Sequence, residues 1–378
     1  MTWQTLLFDI DGVLLSEERY FDATALTVWE LIHSNLYLGQ QTAFFSVNLE
    51  EPQIRRIRKE VFHDDTVLSF MKSRGINSNW DMVYLAFSYQ LILLLEKIHQ
   101  KDPAFVEQLV QKEITYESLK EAQEKSNDLS VSFQPNYAQF IDDFKESTEE
   151  KQALFLYLNT ICQKRLSVST TIFKRQSTLW DVCQETFQEW YLGDRYVEPS
   201  VLGKPKESGK KGFLQDEIPI ISKEQMIELF STLKEKGYHL GIGTGRPKIE
   251  TLEPLKTLGV LSFFDENRIL TATDVLHAER QYPEYAPLAK PQPYAYVQGM
   301  LGKETPVMTA ITYPLPIENK EQVLVIGDSL ADYMAAKTVG CQFAAVLTGL
   351  SGKKARPDFE NRADFILDNV FDLLTMIK

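Results

Sequence analysis

The first apolar run of the chain, Thr5 to Ile10, stops at Asp9-Ile10-Asp11-Gly12-Val13, and the next run of the same kind, Tyr238 to Gly243, comes only far along the sequence. A short apolar run closed by Asp-Gly predicts a buried strand whose carboxyl end delivers Asp9 and Asp11 into a loop. An isolated strand can neither satisfy its backbone groups nor bury both faces, so this one must join a sheet built from the C-terminal half. Residues 17–218 are then an insertion between two strands of one sheet, long enough to be a domain.

The C-terminal half carries the signals of a parallel sheet covered by helices. Ser222 and Gln225 form a capping box that opens a helix with Met226, Ile227, Phe230 and Leu233 as its apolar stripe, and Gly237 closes it. Strands are expected at Tyr238 to Gly243, Val323 to Ile326, Phe343 to Leu347 and Asp364 to Leu367. Helices are expected at Ala331 to Val339, ended by Gly340, and at Val370 to Ile377.

The insertion reads as mostly helical. Phe21 to His33, Met82 to His99, Pro103 to Glu113, Tyr137 to Lys145, Lys151 to Lys164 and Leu179 to Leu192 place apolar residues at helical spacing. Its aromatics, among them Trp80, Tyr84, Trp180 and Tyr191, read as helix-packing residues, and His63-Asp64-Asp65 as a solvated turn or helix start. The stretch Gly203 to Gly212, GKPKESGKKG, reads as a connector whose Lys204, Lys206, Lys210 and Lys211 face water, with a mobile basic lid over an anionic substrate as the alternative.

Composition narrows the partners. A net charge of −13 repels nucleic acid and anionic lipid. Cys162, Cys183 and Cys341 are too dispersed for a zinc site or a redox dithiol. The apolar stretch Tyr84 to Leu95 is too short for a bilayer, which takes about 20 residues. With no signal-peptide pattern at the N-terminus, a cytoplasmic location is expected.

Four elements carry chemistry, each at the carboxyl end of an expected strand or in a rigid turn beside one, where open α/β sheets place their ligands. Asp9 and Asp11, two residues apart at a strand end, are expected to point the same way because strand side chains alternate, offering one carboxylate to attack phosphorus and one to handle protons. Thr244-Gly245-Arg246-Pro247 offers a hydroxyl and backbone N–H groups to phosphate oxygens. Arg246 is open between reaching a substrate phosphate and pairing with a surface acid. Lys290, in Ala289-Lys290-Pro291, brings a cation to neutralise charge. Asp328 and Asp332, in Gly327-Asp328-Ser329-Leu330-Ala331-Asp332, supply hard oxygen ligands of the kind that hold Mg²⁺. Asp332 is also open to a plain role at a helix N-terminus.

These residues in this order resemble the four motifs of the haloacid dehalogenase superfamily, and its phosphatase branch in particular. The resemblance covers residues 1 to about 16 and 219–378, and the insertion stands where that superfamily places a C1-type cap. It implies an α/β fold: a Rossmann-like parallel-sheet core of residues 1–16 and 219–378, with an inserted all-helical cap at 17–218. It further implies Asp9 as nucleophile, Asp11 as general acid/base, Thr244 as phosphate ligand and Lys290 as stabilising cation. Mg²⁺ would be held by the Asp9 and Asp328 carboxylates and the Asp11 carbonyl, with Asp332 in support.

The expected activity is Mg²⁺-dependent hydrolysis of a small-molecule phosphate monoester through an aspartyl-phosphate, as in phosphoglycolate phosphatase-like enzymes. A phosphomutase and a non-catalytic protein that binds partners through its cap are the alternatives. Hinges for cap movement are expected near residues 15–20 and 203–220. The proline-containing stretch Leu301 to Glu321 exceeds the family's usual interval and has no readable role.

Overall fold

The computed structural model describes residues 3–40, 45–198 and 203–377. They divide into two compact units, one of the chain up to Glu18 together with Leu214 onward, the other Arg19–Phe213.

The first unit is an α/β fold on one six-stranded parallel sheet. Its strands are β1 (Thr5–Phe8), β2 (His239–Gly243), β3 (Ile269–Leu270), β4 (Val323–Gly327), β5 (Gln342–Val346) and β6 (Phe365–Leu367), in the order β3-β2-β1-β4-β5-β6. The side-chain alternation of a strand explains how such apolar runs are used. Leu6, Phe8, Ile242, Leu324 and Ile326 enter one core with the helix Lys223–Glu235. Leu7, Val323, Val325, Phe343 and Ala345 enter the other with the helices Tyr294–Leu301 and Leu330–Val339.

The expected strands and helices occur with small shifts at their ends. Ser222 and Gln225 form the capping box, but Leu229 takes the buried place read for Ile227, which is 38% exposed. The expected C-terminal helix divides into a 3₁₀ turn, Val370–Asp372, and a short helix, Leu373–Met376. The stretch after Leu301 has a use: the helix Val307–Ile311 with Tyr313, Leu315 and Ile317 covers the second core. Residues 214–218, read as insertion, stay with the sheet unit. Ser16 N–H donates to the Ile218 carbonyl and Ile220 N–H to the Leu14 carbonyl, pinning the returning chain beside the loop after β1.

The second unit is helical. Its longest helix, Asn79–His99, packs against Ala153–Leu166 and Thr178–Leu192, with Tyr84 stacked on Phe155 and Trp80 edge-on to Trp180. Helices Glu51–Val61, Thr66–Ser73 and Tyr116–Asp128 were not foreseen. Of the eleven residues of Glu51–Val61, only Ile54, Ile57, Arg58 and Val61 are buried, too narrow a stripe to stand out. His63 and Asp64 are exposed in a surface turn, Asp64 paired with Lys59.

The solvated-connector reading of Gly203 to Gly212 fails at Lys210. Its ammonium is fully buried, 2.9 Å from Glu30 and 2.6 Å from Glu189. Lys206 pairs with Glu185 at 2.7 Å. Residues 201 and 202, just before this stretch, lie outside the described residues. Among the described residues no helix is long and apolar enough to cross a membrane.

Candidate active site

The site is built at the carboxyl ends of β1, β2 and β4. β1 ends at Phe8, two residues earlier than expected, so Asp9 is the first residue beyond it and Asp11 lies in the following turn. Strand alternation therefore does not set how the two carboxylates point. Asp9 is 6% exposed, its Oδ1 accepts the Ile10 N–H at 2.8 Å, and its Oδ2 lies 2.9 Å from Lys290 Nζ.

Lys290 ties the strand ends together. Its Nζ also donates to Asp332 Oδ1 at 2.7 Å and to the Gly243 carbonyl at the end of β2 at 3.3 Å. Asp332 is fully buried. Its Oδ1 also accepts the Tyr296 hydroxyl at 2.7 Å, and its Oδ2 accepts Ser329 Oγ at 2.6 Å and Ser329 N–H at 3.3 Å. The plain helix-capping role read for Asp332 is thus real, since Ser329 and Asp332 form a capping box, but the residue faces the site and not solvent.

Asp328 is wedged between two backbone approaches. A Cβ at Gly12 would come within 2.4 Å of its Oδ2, and one at Gly349 within 1.9 Å. Gly12 also needs its glycine because φ is +67°.

The electrostatics follow from burying several carboxylates beside one ammonium. Burial pushes Asp9 up to about 7, with the Asp332 and Asp11 carboxylates adding to the shift and Lys290 opposing it. Burial, reinforced by Asp332 and Asp9, raises Asp328 well above the usual carboxylate range. Burial opposes charge on Asp332, yet Lys290 and the hydrogen bonds from Lys290, Ser329 and Tyr296 hold it below that range. Burial likewise opposes charge on Lys290, but Asp332 and Asp9 hold it raised.

Asp9, Asp328 and Asp332 each offer an oxygen within 4.8 Å of the others. A surplus of hard, negatively charged oxygens is the donor set that suits Mg²⁺, so the residues fit that ion. Both oxygens of Asp332 already accept hydrogen bonds, and those of Asp9 are engaged by the Ile10 N–H and by Lys290.

Thr244 is buried just past β2, and its Oγ1 accepts the Arg246 N–H at 3.2 Å. Gly245 is exposed, with open space where a side chain would stand. Arg246, expected among the phosphate-binding residues or against a surface acid, pairs with acids inside the protein instead. Nε and Nη2 reach Asp11 Oδ1 at 2.8 and 2.6 Å, and Nη1 reaches Glu217 Oε1 at 2.7 Å. With the guanidinium buried and directed at carboxylates, its geometry is that of an internal ion pair.

Tyr296, Ser329 and Glu217 escaped the sequence reading. Ser329 was within reach, because Ser-Leu-Ala-Asp after a strand is a capping-box pattern. Tyr296 and Glu217 carry no local signal, since each joins the site only through the tertiary fold.

An all-parallel α/β sheet with carboxylates and a lysine gathered at its carboxyl edge places the chain in the class of Rossmann-like α/β proteins. The comparisons make this specific. The HAD-hydrolase-like family model matches residues 288–373. Pyrophosphatase PpaX of Bacillus pumilus is 23% identical over 163 residues, 43% of this chain and 62% of that protein. Phosphoglycolate phosphatase of Pasteurella multocida is 29% identical over 147 residues, 39% of this chain and 53% of that protein. The match thus spans less than two thirds of either relative. An X-ray structure of a Northeast Structural Genomics Consortium target superposes with a TM-score of 0.89 at 36% identity, covering 99% of this chain and 98% of that one. Residues 288–373 are thus similar to haloacid dehalogenase-like hydrolases.

Proposed function

We propose that the protein is a Mg²⁺-dependent phosphatase that hydrolyses a small-molecule phosphate monoester through an aspartyl-phosphate on Asp9. The observation that carries this reading is the Lys290 ammonium, 2.9 Å from Asp9 and 2.7 Å from Asp332 at the strand ends. A phosphoryl group in transit spreads charge over its equatorial oxygens, so a buried cation beside a carboxylate nucleophile is what the reaction needs. The names of the relatives, a phosphoglycolate phosphatase and a pyrophosphatase, support a small phosphorylated substrate.

In this reading an Asp9 oxygen attacks phosphorus while Asp11 protonates the departing alkoxide. Asp11 then takes a proton from the water that attacks the aspartyl-phosphate, releasing phosphate and regenerating the Asp9 carboxylate and the protonated Asp11. Lys290 neutralises charge on the phosphoryl oxygens, and the Thr244 hydroxyl and Gly245 N–H bind them. Asp9, Asp328 and the Asp11 carbonyl would hold Mg²⁺, with Asp332 fixing Lys290 beside them. Bound there, the ion supplies further neutralisation of phosphoryl charge. The helical unit Arg19–Phe213, inserted between β1 and β2, is proposed as the cap that selects the substrate.

The test is phosphate release from an aryl phosphate and a panel of metabolite phosphates, with Mg²⁺ or with chelator, comparing the protein with Asp9→Asn. Release that requires Mg²⁺ and falls at least about a thousandfold on substitution is expected, since loss of a covalent nucleophile removes the shared path. Release that survives Asp9→Asn would sink the aspartyl-phosphate mechanism.

A further inference from the structure

We propose that Arg246, braced by Glu217, is the positioning residue for Asp11, and that it dedicates one Asp11 oxygen to structure so that the other is presented for proton transfer. The inference rests on the phosphatase reading and adds residues that it does not contain.

The geometry is unusual for an arginine–carboxylate pair. A guanidinium commonly meets a carboxylate fork to fork, one N–H to each oxygen. Here Nε and Nη2 converge on the same oxygen, Asp11 Oδ1, at 2.8 and 2.6 Å. Among the described residues no protein group hydrogen-bonds Asp11 Oδ2, and the side chain is 31% exposed. One oxygen is held and the other is open, which is the arrangement a general acid/base needs.

Arg246 is itself fixed from behind. Its side chain is 1% exposed, and Nη1 contacts Glu217 Oε1 at 2.7 Å and the Glu250 carbonyl at 3.4 Å. Glu217 is held in turn by its segment, because the Ile218 carbonyl accepts the Ser16 N–H and Leu15 bridges to Pro219. The chain that returns to the sheet therefore carries the brace, and the loop after β1 carries the group being positioned. Two carboxylates flank one guanidinium, so the buried cation is compensated, and the remaining negative charge lies toward the half-exposed Asp11.

Position matters most where protonation matters most. An alkyl phosphate expels a strongly basic alkoxide and depends on the acid, whereas the ester of an acidic phenol expels a stable anion and depends on it little. The measurement is kcat/KM for one ester of each kind, with Mg²⁺, in Arg246→Lys and Glu217→Gln. Both variants keep side-chain bulk, and melting curves confirm that each is folded.

Arg246→Lys is expected to lower the alkyl-to-aryl ratio of kcat/KM at least about tenfold, within the range that a general acid contributes. Glu217→Gln should lower it several-fold, while KM for either ester and inhibition by inorganic phosphate change little. Equal loss on both esters, or a rise in KM together with weaker phosphate inhibition, would overturn the proposal, because Arg246 would then hold the fold or the phosphate. An unaltered ratio in folded Glu217→Gln would overturn the bracing role. Failure of the underlying reading looks different: neither ester would be cleaved by the unsubstituted protein, or Asp9→Asn would still cleave both, and the positioning role would fall with it.

Discussion

A single methyl group is enough to probe how closely Asp328 is held. The Gly349 backbone does not occupy the left-handed region, so alanine is allowed there by conformation, yet its Cβ would stand 1.9 Å from Asp328 Oδ2. The carboxylate must move or the loop must shift. Neighbours that orient a metal ligand are commonly worth about 10–100-fold in metal affinity. Gly349→Ala is therefore expected to raise the Mg²⁺ concentration for half-maximal phosphate release at least about tenfold, with a melting temperature close to that of the unsubstituted protein. An activation curve that overlays the original would show that Asp328 is not confined by this contact. At this scale Asp9, Lys290 and Asp328 were legible because each follows an apolar run or stands in a proline-marked turn. Glu217 and Tyr296 were not, because their partners Arg246 and Asp332 are remote in sequence.

At the scale of elements, legibility followed the kind of signal. The helix from Lys223 could be read from its capping box and its stop at Gly237, and the strands from apolar runs whose alternate residues serve two cores. The lysine-rich segment Gly203 to Gly212 misled, because composition reports average solvation and says nothing of a single buried partner. Lys210 is held there between Glu30 and Glu189. Burial pushes Glu30 up from 4.5 to about 7, with Lys210 opposing and Glu189 adding to the shift. A carboxyl raised in the folded state binds more protons folded than unfolded between those two values. Its contribution is therefore fully present below about 4.5 and is lost as pH rises through about 7. Glu30→Gln mimics the protonated form. Its stability relative to the unsubstituted protein should improve by on the order of 2 kcal/mol from the lower pH to the higher, measured by urea unfolding across that window. A stability difference that is flat with pH would mean that Glu30 is ionised throughout.

For the whole molecule, the net charge of −13 and the acidic cluster at the sheet edge make separable predictions about cations. General screening relieves long-range repulsion and acts through ionic strength, so monovalent salt should supply it. A bound ion acts by mass action on the folded state, giving about 2.7 kcal/mol at a hundredfold excess over Kd. For a unit of this size that is a rise in melting temperature of roughly 5–10 °C. Mg²⁺ should therefore raise the melting temperature above that in chelator plus monovalent salt of equal ionic strength. Asp328→Asn should lose this increment while keeping the salt response. In chelator the variant should melt no lower than the unsubstituted protein, since it removes a carboxylate that Asp9 and Asp332 repel. If Mg²⁺ instead shifts both proteins equally, its effect is on the overall charge, and the Asp9–Asp328 pair is not where the ion is held.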